Sequence, residues 1–314
     1  MKHVFIFDPK SFRDQQWRMD SLFDSIGQYF RTLEKPDFST AVSNYPRSAI
    51  GLIQKQVDQA DMFEIVRVYA IGGDEIFFDC LNGIAGLSHM ELAALPHGAG
   101  INFLRSFGEG KAELFKDIQS LAEASTIPTD IITVGNNYAI NGCSAGLVPA
   151  IAMKMRKRKK KFGKGFSRFF LGFLYFLDNV VSFFDKELIA QQYKITIDGN
   201  DYSGRYSLVN IVNAPYFNSH KALAGALPND GLLDVVLFKS GGPLPTWGSL
   251  KKYSRGRMPS NCIRVQAKKI EIESEKPMWI QTDSEFLQDT SITFEVVSQT
   301  VQVVAVNDLV YQGF

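Results

Sequence analysis

Strands and helices alternate through the first 125 residues, and this alternation limits the possible folds more than any other feature of the sequence. Residues 3–7, 66–71 and 92–95 are short apolar runs typical of buried strands, and residues 38–45 are predicted as a further strand; helical periodicity follows 3–7, 38–45 and 66–71. Chains of this kind form a parallel sheet with helices on both faces. The sequence therefore predicts an α/β domain over residues 1–126.

The pattern changes after Pro128, where short strands follow one another with few helices between them. Gly, Pro, Asn and Asp turns separate many of these strands, which is typical of an antiparallel β-sandwich. One helical segment, residues 166–189, interrupts them. We therefore predict an α/β + β chain whose β-sandwich domain covers residues 127–299, with residues 300–314 completing the first domain. The predicted strands are 130–134, 138–146, 193–198, 205–213, 233–238, 262–266, 268–273, 278–282, 291–297 and 300–305.

The charge balance and the cysteines exclude several classes of protein. The 314 residues carry 34 Lys and Arg against 33 Asp and Glu, and this net charge of +1 argues against a surface built to bind nucleic acid. The three cysteines are odd in number and lack metal-binding spacing, so we expect reduced thiols in a cytoplasmic protein. Residues 3–7 are too short for a signal peptide, and residues 166–184 include Arg168 and Asp178, which argues against a membrane-spanning helix.

The segment Ile71-Gly72-Gly73-Asp74 lies between a predicted strand and a predicted helix. Glycines there let the backbone approach a bound group, and the start of a helix presents unpaired N–H groups to an anion. The alternative interpretation is a tight turn in which Asp74 caps the helix. The dinucleotide-binding pattern GxGxxG and the Walker pattern are both absent, so an ordinary Rossmann or P-loop site is excluded.

Three further loops carry glycine-rich or acidic sequence. Residues 96–105 follow the next strand, and because successive parallel strands end at one edge of a sheet, we expect this turn to face the same crevice as Gly72. Residues 228–234 precede an apolar strand, and alone they would indicate a hairpin turn. Asp283 and Glu285 form a pair of carboxylates in a loop, although most such pairs are simply solvated.

In their order and spacing these segments resemble the diacylglycerol kinase catalytic family, the soluble lipid kinases that include the sphingosine and ceramide kinases. The resemblance covers nearly the whole chain. The family's Asn-Pro-x-Ser/Ala-Gly loop is similar to Asp8-Pro9-Lys10-Ser11-Phe12. Its Gly-Gly-Asp-Gly-Thr-x-x-Glu-x-x-Asn-Gly motif is matched by Gly72, Gly73, Asp74, Asp79, Asn82 and Gly83, and its Pro-x-Gly-Thr-Gly-Asn-Asp-Phe-x-Arg motif by Pro96, Gly98, Gly100, Phe103 and Arg105. Its Asp-Gly-x-Leu-Asp motif is complete in residues 230–234, and its late Asp-Gly-Glu becomes Asp283-Ser284-Glu285.

The resemblance implies transfer of the γ-phosphate of Mg-ATP to a lipid hydroxyl, such as that of diacylglycerol. Asp283 and Glu285 would flank the accepting hydroxyl, one of them as general base. The implied metal-binding residues are Asp74 for the magnesium of ATP, and Asp230 with the Leu232 carbonyl for a structural magnesium ion. The implied nucleotide-binding residues are Asp8, Pro9, Ser43, Gly72, Gly73, Asp74, Glu75, Gly98, Ala99 and Gly100.

Several departures from the family pattern gather at the phosphate loops. Glu75-Ile76 replaces Gly-Thr of the first motif, and Ala99 and Ile101 replace Thr and Asn of the second. Glu75 and Asp8 add negative charge beside the expected phosphates, which is repulsive unless a metal bridges them. The sequence therefore keeps open a second hypothesis, a non-catalytic relative that binds lipid or nucleotide in a regulatory role.

A strongly basic run precedes an aromatic segment. No carboxylate occurs from Ile131 to Leu177, while Phe and Tyr crowd residues 166–184. One interpretation is an exposed basic loop before a helix that buries its aromatic face; another is an element that binds an anionic membrane surface. Nucleic-acid binding is disfavoured, because crowded rings do not form a stacking surface. The predicted partners are thus a lipid substrate and an anionic membrane, with a homodimer implied by the family alone. The basic run is Arg156, Lys157, Arg158, Lys159, Lys160 and Lys161.

Overall fold

A computed structural model describes residues 1–13, 15–58, 64–98, 100–162, 185–217 and 220–313, with the side chains of 158–162 and 186–187 left out. The helices are α1 (Gln16–Arg31), α2 (Ser48–Val57), α3 (Asp74–Ile84), α4 (Ile118–Glu123), α5 (Leu147–Phe162), α6 (Lys186–Ile189) and α7 (Pro243–Tyr253). The strands of the first half are β1 (Lys2–Phe7), β2 (Phe38–Val42), β3 (Val66–Gly72), β4 (Met90–Pro96), β5 (Ser125–Val134), β6 (Asn137–Ala139) and β7 (Gly142–Gly146). Those of the second half are β8 (Gln191–Ile197), β9 (Asn200–Asp201), β10 (Gly204–Val212), β11 (Tyr216–Phe217), β12 (His220–Lys221), β13 (Leu233–Lys239), β14 (Cys262–Ala267), β15 (Lys269–Thr282) and β16 (Glu285–Ala305).

The first four strands form a parallel sheet in the order β2-β1-β3-β4. Every residue of β3 is buried, so both faces of the sheet are covered, as the alternating pattern predicts. α2 packs on α3, where a Cβ on Gly83 would lie 2.8 Å from the Ile53 side chain. In the sheet, β2 pairs with one side of β1 and β3 pairs with the other side. The loops after β1 and β3 therefore diverge at this switch point of the sheet, and ligands bind at such points.

The remaining strands curl into one continuous sheet around a second core. β14, β13, β10 and β7 pair in that order and antiparallel, and β7 continues the pairing to β15. β8 pairs with β10 at one end and with β15 at the other, which closes the sheet on itself. The second half is therefore β-rich and antiparallel, as its short strands and turns predict.

Two long strands, β5 and β16, connect the two cores. The early part of β16 pairs with β15, whereas Gln302 and Val303 pair in parallel with β4. β5 runs antiparallel along most of β16, and the register shifts between Val297 and Val301. Ile131 belongs to the first core and Ile132 to the second. The predicted domain limits near residues 126 and 299 stay predictions, because both strands pass through both cores.

Some predicted elements are corrected by the structure. The basic run does not form a loop, because α5 extends to Phe162 and includes it. α4, α5 and α7 were not predicted, and segments 268–273 and 278–282 form a single strand that pairs with β16 on both sides of a bulge. The aromatic residues 166–184 lie outside the described residues. Within the part of the chain that is described, no helix combines the length and the apolar character needed to span a bilayer.

Candidate active site

The loops after β1, β3 and β4 meet at the carboxyl edge of the parallel sheet. Gly72 has φ +149°, and a Cβ there would lie 2.9 Å from Ser11 Oγ and 3.0 Å from Asp8 Cβ. The His97 N–H donates to the Gly72 carbonyl at 2.9 Å. A Cβ on Gly98, at φ +67°, would lie 3.1 Å from the Ser11 carbonyl oxygen. Glycine is therefore required where these three loops touch.

Asp8 orders the first of these loops and Ser43 lies beside it. The Asp8 carboxylate accepts from the Lys10 N–H at 3.0 Å and from the Ser11 hydroxyl at 2.8 Å, as a cap with Pro9 following. Ser43 follows β2 and its hydroxyl lies 2.7 Å from Ser48 Oγ. The predicted nucleotide-binding residues that follow β1, β2, β3 and β4 therefore lie together at one edge of the parallel sheet. Ala99 lies outside the described residues.

Asp74 is the first residue of α3 and points toward the second glycine loop. Its carboxylate accepts from the Asn102 N–H at 2.7 Å and from the Asn102 side-chain amide. Burial raises the pKa of Asp74, and the two bonds from Asn102 oppose that rise. A Cβ on Gly73 would lie 3.3 Å from the Gly100 carbonyl oxygen, so the two glycine loops are close-packed. Asn102 was not predicted as a site residue.

Arg47 crosses the cleft between the two cores. Its guanidinium donates to Glu285 Oε1 at 2.8 Å and to Asn137 Oδ1 at 2.9 Å. Its backbone N–H donates to Asp79 Oδ2 at 2.7 Å, in the left-handed conformation at φ 65°. Burial raises the pKa of Asp79 to about 6, and the Arg47 contacts limit that rise. The same cleft is lined by Asp8, Ser43, Glu75 and Arg156.

Asp283 lies in the turn between β15 and β16 and is held by backbone groups. Its carboxylate accepts from the N–H groups of Ile140, Asn141 and Gly142 at 2.7, 3.1 and 3.2 Å. Burial raises the pKa of Asp283 to about 6, and the negative charge of Asp74 contributes to the rise. The charges of the two carboxylates therefore interact, although Asp74 begins α3 and Asp283 lies in the turn before β16. A carboxylate of that pKa is a competent base near neutral pH.

The departures from the family pattern have structural consequences. Glu75 lies at the cleft and its carboxylate is 3.3 Å from Lys10 Nζ, in an exposed ion pair. Ile101 is buried in the first core, so its side chain does not face a ligand. His97 stacks on Phe12 with ring centroids 4.0 Å apart, and burial lowers its pKa. His97 therefore supports the loop through this ring contact.

Asp130, which was not predicted as a site residue, anchors the acidic loop before β13. Asp130 is fully buried and accepts from the N–H groups of Gly231 and Gln299, each at 2.7 Å. The Asp230 carboxylate accepts from the Leu232 N–H at 3.0 Å. Burial raises the pKa of Asp230, and the charges of Asp234 and Asp130 add to the rise. Asp234 itself is paired with Arg264 at 3.0 Å.

An apolar cavity of about 470 Å³ opens between α5 and α7 on the outer face of β7 and β10. Met155 lines the cavity while the next residue, Arg156, lines the cleft, so one helix borders both. Ser144 lines the cavity two residues along β7 from Gly142, which donates to Asp283. At about 3.3 Å per residue, Ser144 at the cavity wall lies about 7 Å along the strand from Gly142, the residue that donates to Asp283. The side chains of Arg158, Lys159, Lys160 and Lys161 lie outside the described residues.

Comparison with known proteins settles the family. The family model for the diacylglycerol kinase catalytic domain matches residues 2–134, and that for the YegS C-terminal NAD kinase beta sandwich-like domain matches residues 173–305. The two matches follow each other along the chain in the order of the two cores, and together they span most of it. The chain belongs to the diacylglycerol kinase catalytic family. The family predicted from the motifs is therefore confirmed.

Individual members agree with this placement. A candidate lipid kinase of Staphylococcus aureus strain N315 is 26% identical over 255 residues, and that of strain Newman is 25% identical; each alignment covers 77% of this chain and 78% of the relative. A candidate diacylglycerol kinase structure from Bacillus anthracis strain Sterne has a TM-score of 0.72 at 22% identity, covering 98% of both chains. A second diacylglycerol kinase structure from that strain gives 0.68 at 20%, with the same coverage. These likenesses establish the fold, α/β followed by a β-rich half.

Proposed function

We propose that this protein is an ATP-dependent lipid kinase that phosphorylates a hydroxyl of a diacylglycerol-like acceptor. The observation that carries the proposal is the position of Asp283: its charge interacts with that of Asp74 at the glycine loops, and it is bonded by Gly142, two residues from Ser144 at the apolar cavity. Its three backbone hydrogen bonds fix its orientation, and its pKa of about 6 leaves it ionised at neutral pH. A base next to both a phosphate crevice and an acyl-sized cavity suits phosphoryl transfer to a lipid.

In this mechanism the acceptor lies with its acyl chain between α5 and α7 and its hydroxyl at Asp283. The hydroxyl oxygen forms a bond to the γ-phosphorus of ATP while the bond from that phosphorus to the leaving oxygen of ADP breaks. Asp283 takes the hydroxyl proton and later releases it to water. Glu285 is already paired with Arg47, so we assign it to positioning and Asp283 to proton transfer. Such a reaction depends chiefly on alignment and charge neutralisation.

The oxygen donors present fit Mg²⁺, which prefers carboxylate, carbonyl and water ligands. We propose that Asp74 would hold the magnesium of ATP and that Asp230 with the Leu232 carbonyl would hold a structural ion. Among the described residues, no three His, Cys, Asp or Glu side chains gather in a metal-binding cluster. Phosphate oxygens and water would complete the ligand set beside Asp74, and water would complete that beside Asp230. When bound beside Asp74, the ion would neutralise charge on the transferring phosphate.

A non-catalytic member is the second candidate, and Glu75 favours it. The Glu75 carboxylate lies at the start of α3, where an anionic phosphate would otherwise meet unpaired N–H groups. Lys10 partly neutralises it, but the pair is exposed and weak. Under this candidate Glu75→Gly would increase the stabilisation by Mg-ATP, while the wild-type chain would transfer no phosphate.

The deciding experiment measures nucleotide binding and then phosphate transfer. A native chain that binds Mg-ATP should unfold at a higher temperature at millimolar nucleotide. Transfer of labelled γ-phosphate to a mixed lipid pool in detergent micelles should follow, and Asp283→Asn should reduce it by about 10² to 10⁴-fold. Asp289→Asn, at an exposed carboxylate on the same strand β16, is the control and should keep full activity.

Full activity of Asp283→Asn would contradict the assignment of Asp283 as the base. Absence of transfer by the wild type would favour the second candidate.

We also propose a cytoplasmic location and peripheral association with an anionic membrane. The described cysteines, Cys80, Cys143 and Cys262, are free thiols, which accords with a reducing compartment. Burial raises the pKa of the Cys80 and Cys143 thiols well above the usual range, so both are inert. A homodimer stays a prediction.

A further inference from the structure

Helix α7 carries large apolar side chains that face solvent. Leu244 is 76% exposed and Trp247 is 52% exposed, whereas Thr246 and Tyr253 on the opposite side are buried. Leu244 and Trp247 are three positions apart, and Lys251 follows four positions later, so the three share one face of the helix. The Lys251 ammonium lies 4.9 Å from the centre of the Trp247 ring. This exposed face of Leu244, Trp247 and Lys251 is called the α7 face below.

The stretch of chain that contains the α7 face is positively charged. No carboxylate occurs between Asp234 and Glu271, a stretch that contains eight Lys and Arg residues. Lys252, Arg255 and Arg257 are exposed directly after the apolar residues. Apolar rings beside basic side chains are the composition that binds the headgroup region of anionic bilayers. Leu244 and Trp247 lie side by side on one helix face, and adjoining exposed apolar side chains of this kind mark interaction sites, whereas single ones do not.

The α7 face also borders the apolar cavity. Trp247, Leu250 and Lys251 line the cavity on one side, while Ile151 and Met155 of α5 line it on the other. A lipid leaving a bilayer that touches the α7 face would thus enter the cavity without crossing water. We infer that the α7 face is the surface on which this protein docks to an anionic bilayer. The inference deepens the proposed function, because it supposes a lipid acceptor.

Vesicle binding tests this directly. Sedimentation with vesicles containing a third phosphatidylglycerol in phosphatidylcholine should pull down the wild type at low salt, and added salt should release it. Lys252→Gln should weaken vesicle binding about fivefold because it removes one positive charge. Leu244→Asn should weaken it about tenfold because it removes exposed apolar area. Neither residue lines the cavity, so both variants should keep the wild-type unfolding midpoint and the wild-type phosphorylation of micellar acceptor. Trp17→Gln, on the 65% exposed Trp17 of α1, is the control and should bind normally.

Fluorescence locates the contact independently. With Trp17 and Trp279 replaced by Phe, Trp247 should be quenched by brominated lipid in these vesicles, whereas a chain retaining only Trp17 should not. Equal quenching of the two, unchanged binding of Leu244→Asn, or no binding of the wild type would overturn the inference. If micellar phosphorylation then persists, the proposed function stands without this docking surface. If Trp247 is quenched but no acceptor is phosphorylated, the proposed function fails and the docking surface stands.

Discussion

The guanidinium of Arg47 lies 2.8 Å from the carboxylate of Glu285, and this contact joins the loop before α2 to the first residue of β16. The Arg47 and Glu285 side chains are 38% and 31% exposed, so solvent screens the pair and its contribution is about 0.2–1 kcal/mol. Arg47 also binds Asn137, so it connects the loop before α2 to β6 as well as to β16.

A double-mutant cycle should measure this coupling. We expect Arg47→Met and Glu285→Gln, alone and combined, to give a coupling free energy of about 0.5–1 kcal/mol in urea unfolding. The exposed pair of Lys194 and Glu273, at 3.1 Å, is the control and should couple less. A coupling above about 2 kcal/mol would mean that the pair is desolvated in solution and that the cleft is tighter than described.

The proposed base predicts a pH profile. Since burial raises the pKa of Asp283 to about 6, the free enzyme should lose kcat/KM about tenfold per pH unit below 6 and reach a plateau above it. The measurement is micellar acceptor phosphorylation from pH 5 to 8, with Asp283→Asn expected to be low and flat. A rise that continues beyond pH 7.5, or an inflection near 4, would assign proton transfer elsewhere.

Asp79 predicts a dependence of stability on pH. Because its pKa is about 6 in the folded chain and 3.8 in the unfolded chain, folded protein keeps the proton to higher pH, and stability falls as pH rises from about 4 to 6. Asp79→Asn removes this cost, so its free energy of unfolding should exceed that of the wild type by about 1–3 kcal/mol at pH 8. The gain should shrink toward pH 4 in urea titrations. Asp289→Asn should change stability by less than about 0.5 kcal/mol at either pH.

Two glycine substitutions should separate backbone requirement from helix propensity. Gly72→Ala places a Cβ against Ser11 and Asp8 at φ +149°, and we expect a loss of about 1–3 kcal/mol together with loss of the Mg-ATP thermal shift. Gly51→Ala lies in α2 with no atom within 4 Å, so it should stabilise by about 0.5–1 kcal/mol and leave nucleotide binding unchanged. If Gly72→Ala kept wild-type stability and thermal shift, the loops would not be packed as described.

Local sequence was sufficient for the parallel sheet and for the loops at its edge. The apolar runs of β1, β3 and β4 stand out because these strands are buried on both faces, and glycine marks where Gly72 and Gly98 approach Ser11. The residues that were missed act at long range. Arg47 reaches Glu285 across 238 positions, and Asp130 holds the Gln299 N–H across 169. No periodicity in the sequence encodes such contacts.

The helices of the second half were missed for a different reason. α5 begins directly after Gly146, the last residue of β7, and its basic end resembles a solvated loop in composition. α7 starts with Pro243 and Pro245 and has Gly248 inside, residues that usually mark turns. Packing of Leu250 and Tyr253 on the sheet outweighs those local preferences. Asn102 could have been noticed as a polar side chain in the second glycine loop.

The passage of β5 and β16 through both cores has a mechanical consequence. A chain joined by a loose tether can open its cleft by swinging one half freely, but here any opening must bend two hydrogen-bonded strands at the shift between Val297 and Val301. The stiffness of a sheet, instead of the length of a tether, therefore sets how far Asp74 and Asp283 can separate. The shared strands also couple the unfolding of the two halves, because unfolding either half breaks hydrogen bonds between β5 and β16 that hold the other half. The two halves should accordingly melt as a single cooperative unit.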